Sequence, residues 1–240
     1  MRIRKFQLLC AYALSFACGG ALAGDTNPHP VPTAAPAPLA APAGNTPVAE
    51  VTFVAFDTET TGLSPRQDRL VELAAVKFRQ GRVLEEKTWL INPGQPIPPA
   101  AEAVHHISNA MVRHQPDFKA VYPEFERFIR GTILMAHQAR FDVAFISAEC
   151  ARHGLEPPPN PVLDTLPLFR HWFPTLASHS IASMTTNLNL AAGSFHRALS
   201  DTMYMVLIFG KGCRQEPPGL TLDALFQAAH PPLQFTSPPR

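Results

Sequence analysis

The sequence predicts an α/β domain built on a mixed β-sheet flanked by helices. Three observations lead there. Short β-branched and aromatic runs, VTFVAF (51–56) and TILMA (132–136), suit buried strands. Two longer runs, RLVELAAVKF (69–78) and RVLEEKTWLI (82–91), flank Arg79-Gln80-Gly81 and read as a hairpin. Beyond them, stretches with helical spacing of apolar residues alternate with extended ones, which implies a sheet with both antiparallel and parallel pairs.

The remaining elements follow in order. FKAVYPEFERFIR is expected to be helical, with Asp117 ahead of it and Gly131 closing it. FDVAFISAECARHG has helical spacing and a terminal Gly154, and PVLDTLPLF starts extended and becomes helical. SIASMTTNLNL forms a modest helix, and RALSDTMYMVLIFGKG a strongly apolar one ending at Gly210–Gly212. The single folded domain is expected over residues 51–212.

Both ends differ in composition. Residues 1–23 carry Arg2, Arg4 and Lys5, then the apolar FQLLCAYALSFA, then ALA before Gly24, the order of an export signal. Cleavage there, retention as a membrane anchor (uncut, or lipid-modified at Cys18) and an unused signal are all open. The expected location is periplasmic or secreted, otherwise membrane-anchored or cytoplasmic. Residues 24–50 are Pro/Ala-rich without an apolar period, a linker expected to stay disordered. Residues 213–240 form a proline-punctuated tail in which TLDALFQAA is amphipathic enough to dock on the domain.

Charge restricts the function classes. The 240-residue chain has 20 Lys+Arg against 19 Asp+Glu; without Arg2, Arg4 and Lys5 the balance is 17 against 19, or −2. A near-neutral chain argues against sequence-independent clamping of duplex DNA, so any polyanion must be held locally. Of the four cysteines, Cys150 and Cys213 lie outside the leader; their spacing matches no zinc or redox motif, and two buried thiols or one bridge are both open.

The chemistry is concentrated in FVAFDTETTGL (53–63). On a strand, residues i and i+2 share a face with Cα atoms about 7 Å apart. Asp57 and Glu59 therefore project together, and Gly62 marks a turn directly after them. Two carboxylates at the carboxyl end of a strand either sit in solvent or hold a hard divalent cation, and the choice depends on further acids. Asp142 in AHQARFDVAF begins a helix after a buried strand; Asp201 in HRALSDTMYM enters the last strong helix, five residues after His196. Either acid alone would also be explained as a favourable charge in a helix's first turn.

Taken together, FDTETTGL, AHQARFD and HRALSD resemble, in order and spacing, the three motifs of the DEDDh 3′–5′ exonucleases. DRLVELAAVKF, INPGQPIPP, VHHISNAMV and PVLDTL are similar to the proofreading branch of that family, and the likeness spans residues 51–212. Gln138 stands where asparagine is usual and His106 where glycine is common; neither removes an acid.

The resemblance implies an RNase H-like fold and two divalent ions, Mg²⁺ or Mn²⁺, held by Asp57, Glu59, Asp142 and Asp201. It implies His196 as general base toward a nucleophilic water, and Thr60, Thr61, Gly62, Leu63, His137 and Phe141 as substrate-binding residues. Leu63 would wedge against the terminal base or pack in the core; Phe141 would meet substrate or only pack. The implied partners are 3′ ends of single-stranded DNA or RNA, with nucleoside 5′-monophosphates as products. Activity on short RNA and a binding module without turnover are the alternatives. A membrane tether through residues 1–23 is the one further partner considered, and no polymerase- or clamp-binding segment is recognisable.

Overall fold

A computed structural model describes residues 42–190 and 197–236. A five-stranded sheet in the order β3-β2-β1-β4-β5 forms its centre. The strands are β1 (Phe53–Thr60), β2 (Leu70–Arg79), β3 (Arg82–Leu90), β4 (Ile133–Ala136) and β5 (Val162–Asp164). β1 pairs antiparallel with β2 and parallel with β4, so the sheet is mixed as expected. The β2–β3 turn is a two-residue connection in which Gln80 (φ 54°) and Gly81 (φ 70°) are both left-handed, matching the twist of a hairpin.

Alternation along β1 creates the two faces. Phe53 and Ala55 point into one core, shared with α5 (Thr165–Trp172), α6 (Ile181–Asn187) and α7 (Ala198–Cys213). Val54 and Phe56 point into the other, shared with α3 (Phe118–Ile129) and α4 (Arg140–His153). α3 presents Phe118, Val121, Tyr122, Phe125, Phe128 and Ile129 at helical spacing, and the Asp117 carboxylate accepts from the Ala120 amide at its start. It ends one residue short of Gly131, with Arg130 as its C-cap. α4 closes at Gly154, left-handed at φ 65°.

α7 is fixed to the sheet by rings: Phe209 lies 5.2 Å from Phe53, 5.7 Å from Phe78 and 5.5 Å from Trp172, centroid to centroid. That anchor near its carboxyl end aims its first turn at the carboxyl end of β1. Two short helices were not expected, α1 (Pro99–His105) and α2 (Asn109–Val112). They lie in a proline-interrupted stretch too short to show a helical period. α1 ends on His106, left-handed at φ 61°, the conformation a glycine adopts without strain.

Packing reaches past the expected domain boundaries at both ends. Val48 is buried, its amide bonds to Leu220 O, and Pro47 bridges Thr221. The tail forms α8 (Leu222–Ala228), which buries Leu222 and Leu225, and Leu233 then bridges Val162 along the β5 edge. Phe235 is buried against Phe56 on the opposite face. TLDALFQAA thus docks on the domain as its amphipathic pattern suggests, and the proline-punctuated segment after it covers a sheet edge. Cys150 and Cys213 are both free thiols, each pushed up to about 12 by burial. The expected leader, residues 1–23, and the linker as far as residue 41 lie outside the described residues. No helix among the described residues is long and apolar enough to cross a membrane.

Candidate active site

The site lies where β1 and α7 meet. One oxygen from each of Asp57, Glu59 and Asp201 lies within 4.8 Å of the others. Asp57 and Glu59 are two apart on the α7-facing side of β1, and Asp201 sits in the first turn of α7. All three are half-buried.

Asp142 approaches from the first turn of α4 and is 2% exposed. Thr58, on the opposite face of β1, donates its hydroxyl to Asp142 Oδ1 at 2.7 Å. Thr58 was not among the expected site residues, and a polar residue between the two acids of a buried strand was its only signal in sequence.

The electrostatics follow from this crowding. Burial raises the Asp57 carboxyl well above the usual range, and Asp142, Glu59 and Asp201 push it further in that order. Glu59 is raised to about 8, first by burial and then by Glu72, Asp201 and Asp142, with Arg197 opposing. Burial lifts Asp142 to about 7 against the lowering effect of the Thr58 hydroxyl. Like charges gathered out of water are costly unless protonated or neutralised. The donors in this group are all carboxylate oxygens, without thiolate or imidazole, and such a set fits a hard divalent cation.

The loop after β1 differs from expectation in detail. Thr61 is 1% exposed; its hydroxyl accepts from the Arg69 amide and from Gln95 Nε2 and donates to Asp68. Thr60 donates to Gly62 O at 2.6 Å. Both hydroxyl protons are thus engaged within the protein, and Thr60 Oγ1 keeps the capacity to accept a hydrogen bond. A Cβ on Gly62 would lie 2.5–2.6 Å from the Asp68 carboxylate, so the close approach explains the glycine.

Leu63, in the loop after β1, is 85% exposed, which removes core packing as its role. His137 is turned inward: Nδ1 pairs with Thr165 Oγ1 at 2.9 Å and the ring stacks on Phe169. Burial lowers it to about 4, so it is neutral at physiological pH. Phe141 is half-buried, its ring 4.8 Å from that of Phe145. It borders a groove of about 500 Å³ that Arg140, Arg170 and His230 also line. Gln138 is left-handed at φ 57°, a conformation asparagine enters more readily. His196 lies outside the described residues.

The RNase T exonuclease family model matches residues 54–209. The chain belongs to this exonuclease family. It is 36% identical to the DNA polymerase III subunit epsilon of Treponema pallidum over 161 residues, covering 66% of this chain and 75% of that one. It is 38% identical to the PolC-type DNA polymerase III of Bacillus cereus over 155 residues, 65% of this chain but 11% of the much longer relative. Among solved structures, Exonuclease X in complex with 5′ overhanging duplex DNA superposes with a TM-score of 0.59 at 27% identity, over 74% of this chain and 99% of the other. An Escherichia coli ExoI–ssDNA complex superposes with a TM-score of 0.66 at 20% identity, over 74% and 43%, a likeness of fold. The mixed sheet with flanking helices is RNase H-like, and this exonuclease is a hydrolase of the 3′–5′ DEDDh type.

Proposed function

We propose that this exonuclease removes nucleotides one at a time from the 3′ ends of single-stranded DNA, releasing nucleoside 5′-monophosphates. The observation that carries the reading is the meeting of Asp57, Glu59 and Asp201 within 4.8 Å, with Asp142 as the strongest charged neighbour of Asp57. Asp57, Glu59 and Asp201 would hold one divalent ion, and Asp57 with Asp142 a second, Mg²⁺ or Mn²⁺ in either place. When bound, such ions neutralise the acids and polarise the phosphodiester and the attacking water.

The chain's own residues supply the rest. Thr58 orients the Asp142 carboxylate by a short hydrogen bond. His196, five residues before Asp201, would take the proton from water as it attacks phosphorus. Leu63 projects an apolar surface from the loop beside the acids, suited to an unstacked terminal base. Arg140 and Arg170 flank Phe141 in the adjacent groove, a combination of cation and aromatic face that suits a flexible single strand.

The test is a 5′-labelled single strand of DNA or RNA with Mg²⁺ or Mn²⁺, with Asp57→Ala and His196→Ala alongside. A ladder shortening from the 3′ end in wild type and abolished in both variants supports the proposal. Binding without shortening, or label released first as a mononucleotide, overturns it; preferential shortening of RNA reassigns the substrate. The location proposed from the leader is extracytoplasmic, and N-terminal sequencing is expected to read from Gly24; an intact Met1 in the cytosolic fraction would reverse it.

A further inference from the structure

A fifth carboxylate faces this site and nothing above gives it a task. Glu72 lies on β2 directly across from Glu59, on the same side of the sheet, and is 1% exposed. A buried acid beside a candidate metal ligand invites the reading of another ligand. Its hydrogen bonds argue otherwise.

Arg197 Nη2 donates to Oε1 at 2.7 Å and Arg197 Nε donates to Oε2 at 3.3 Å, the two-pronged pairing that fixes a guanidinium in orientation. The Ala198 amide donates to Oε2 at 3.1 Å. Arg197 is the N-cap residue of α7 and its side chain makes no cap of its own, so one of the helix's open N–H groups is satisfied by an acid 126 residues away. One turn on, the Asp201 amide closes onto Arg197 O at 3.2 Å. Residues 197 and 198 are therefore pinned to the start of β2, and they lie between His196 and Asp201 in sequence.

We propose that Glu72 is a positioning residue: paired with Arg197, it locks the first turn of α7 so that Asp201 meets Asp57 and Glu59, and it does not itself ligate a cation. The proposal rests on the exonuclease reading for its consequence in rate, while the lock itself is measurable without turnover. Removing either partner leaves the other unpaired, a buried carboxylate or an unanchored guanidinium, and frees the start of the helix. A displacement of about 1 Å at a reacting group costs about a hundredfold in rate.

The experiment uses the full chain as wild type, Glu72→Gln, Glu72→Ala, Arg197→Ala, Arg197→Lys and the double alanine variant. Glu72→Gln keeps size and an acceptor for the Ala198 amide, so it guards against loss of fold. Expected are kcat losses of about tenfold for Glu72→Gln and about a hundredfold for each single alanine, with KM nearly unchanged. The double variant should fall no further than either single one, and Arg197→Lys should recover part of the loss. Amide hydrogen exchange over 197–202 should quicken in the alanine variants, and Mn²⁺ bound per chain, counted by electron paramagnetic resonance, should stay at the wild-type number.

Loss of one Mn²⁺ in Glu72→Ala with Arg197→Ala unaffected would make Glu72 a ligand and overturn the proposal. A lower melting temperature with unchanged kcat and unchanged exchange over 197–202 would make the pair merely structural and also overturn it. A wild-type chain without nuclease activity would sink the exonuclease reading alone, and the exchange and Mn²⁺ measurements would still decide the role of Glu72.

Discussion

Replacing Glu59 by glutamine is expected to stabilise the metal-free protein while disabling it. Glu59 ordinarily titrates near 4.5 and is raised here to about 8, first by burial and then by Glu72, Asp201 and Asp142. A carboxyl raised in the folded state favours folding fully below 4.5, where both states hold the proton. Stability then drains away as pH climbs from 4.5 to about 8, because only the unfolded chain releases its proton freely. The interval from 4.5 to about 8, at about 1.4 kcal/mol per pH unit, sets a ceiling of about 5 kcal/mol. Neighbouring acids relieve one another by protonating in turn and solvent screens a half-buried group, which reduces the share of Glu59 to about 1–3 kcal/mol.

For a domain of this size that share corresponds to a melting temperature about 3–10 °C higher in Glu59→Gln than in wild type. The assay is thermal unfolding in EDTA at pH 5 and pH 8.5, comparing the two proteins so that other titrating groups cancel. The gap should be small at pH 5 and large at pH 8.5. Adding Mn²⁺ at pH 8.5 should shrink or reverse the gap, since saturation to about a hundred times Kd contributes about 2.7 kcal/mol to the protein that binds, against a share of about 1–3 kcal/mol. Identical melting at pH 8.5, or a gap independent of pH, would refute the idea that these acids repel one another in a shared site.

Three further outcomes are expected. Thr58→Val removes the 2.7 Å bond to Asp142, which holds that acid down; its titration should climb beyond about 7 and carry the acid limb of the pH–rate profile to higher pH, with activity lower near neutrality. Leu63→Ala, at an exposed position, should leave melting within about 0.5 kcal/mol of wild type yet raise KM several-fold for single strands, read from initial rates. Gly212→Ala places a Cβ 1.9 Å from Trp172 Cε3, in a ring cluster with Phe169 and Phe209, and should cost about 1–3 kcal/mol in chemical denaturation with kcat of the folded protein intact.

The parts of this molecule that were legible in sequence are those governed by a backbone period. Strand β1 alternates Phe53 and Ala55 against Val54 and Phe56, and the same period puts Asp57 and Glu59 on one face with Thr58 on the other. The period of α3 and the glycine after α4 are equally local, and they mark those helices without reference to the rest of the chain. What stayed hidden is decided by partners. FDTETT shows three hydroxyls beside two acids, yet Thr61 is claimed by Asp68, Gln95 and the Arg69 amide, a network set by where the loop returns.

Glu72 is the sharper case, because within RLVELAAVKF it reads as one of three charged residues, with Arg69 and Lys77, in a mostly apolar strand. Its neighbour Glu59 follows from the antiparallel register, and its partner Arg197 arrives from the far end of the domain on α7. Neither fact exists until the chain has folded. The course of the proline-rich tail beyond α8 was hidden for the same reason: prolines argue against regular structure of its own, but not against Leu233 lying along β5 or Phe235 packing beside Phe56. The acids of this site are therefore told apart by geometry that only the folded chain supplies. Asp57, Glu59 and Asp201 each bring an oxygen within 4.8 Å of the others, a repulsion that a bound cation would relieve, whereas both oxygens of Glu72, one strand away, accept from Arg197 and one of them also from the Ala198 amide.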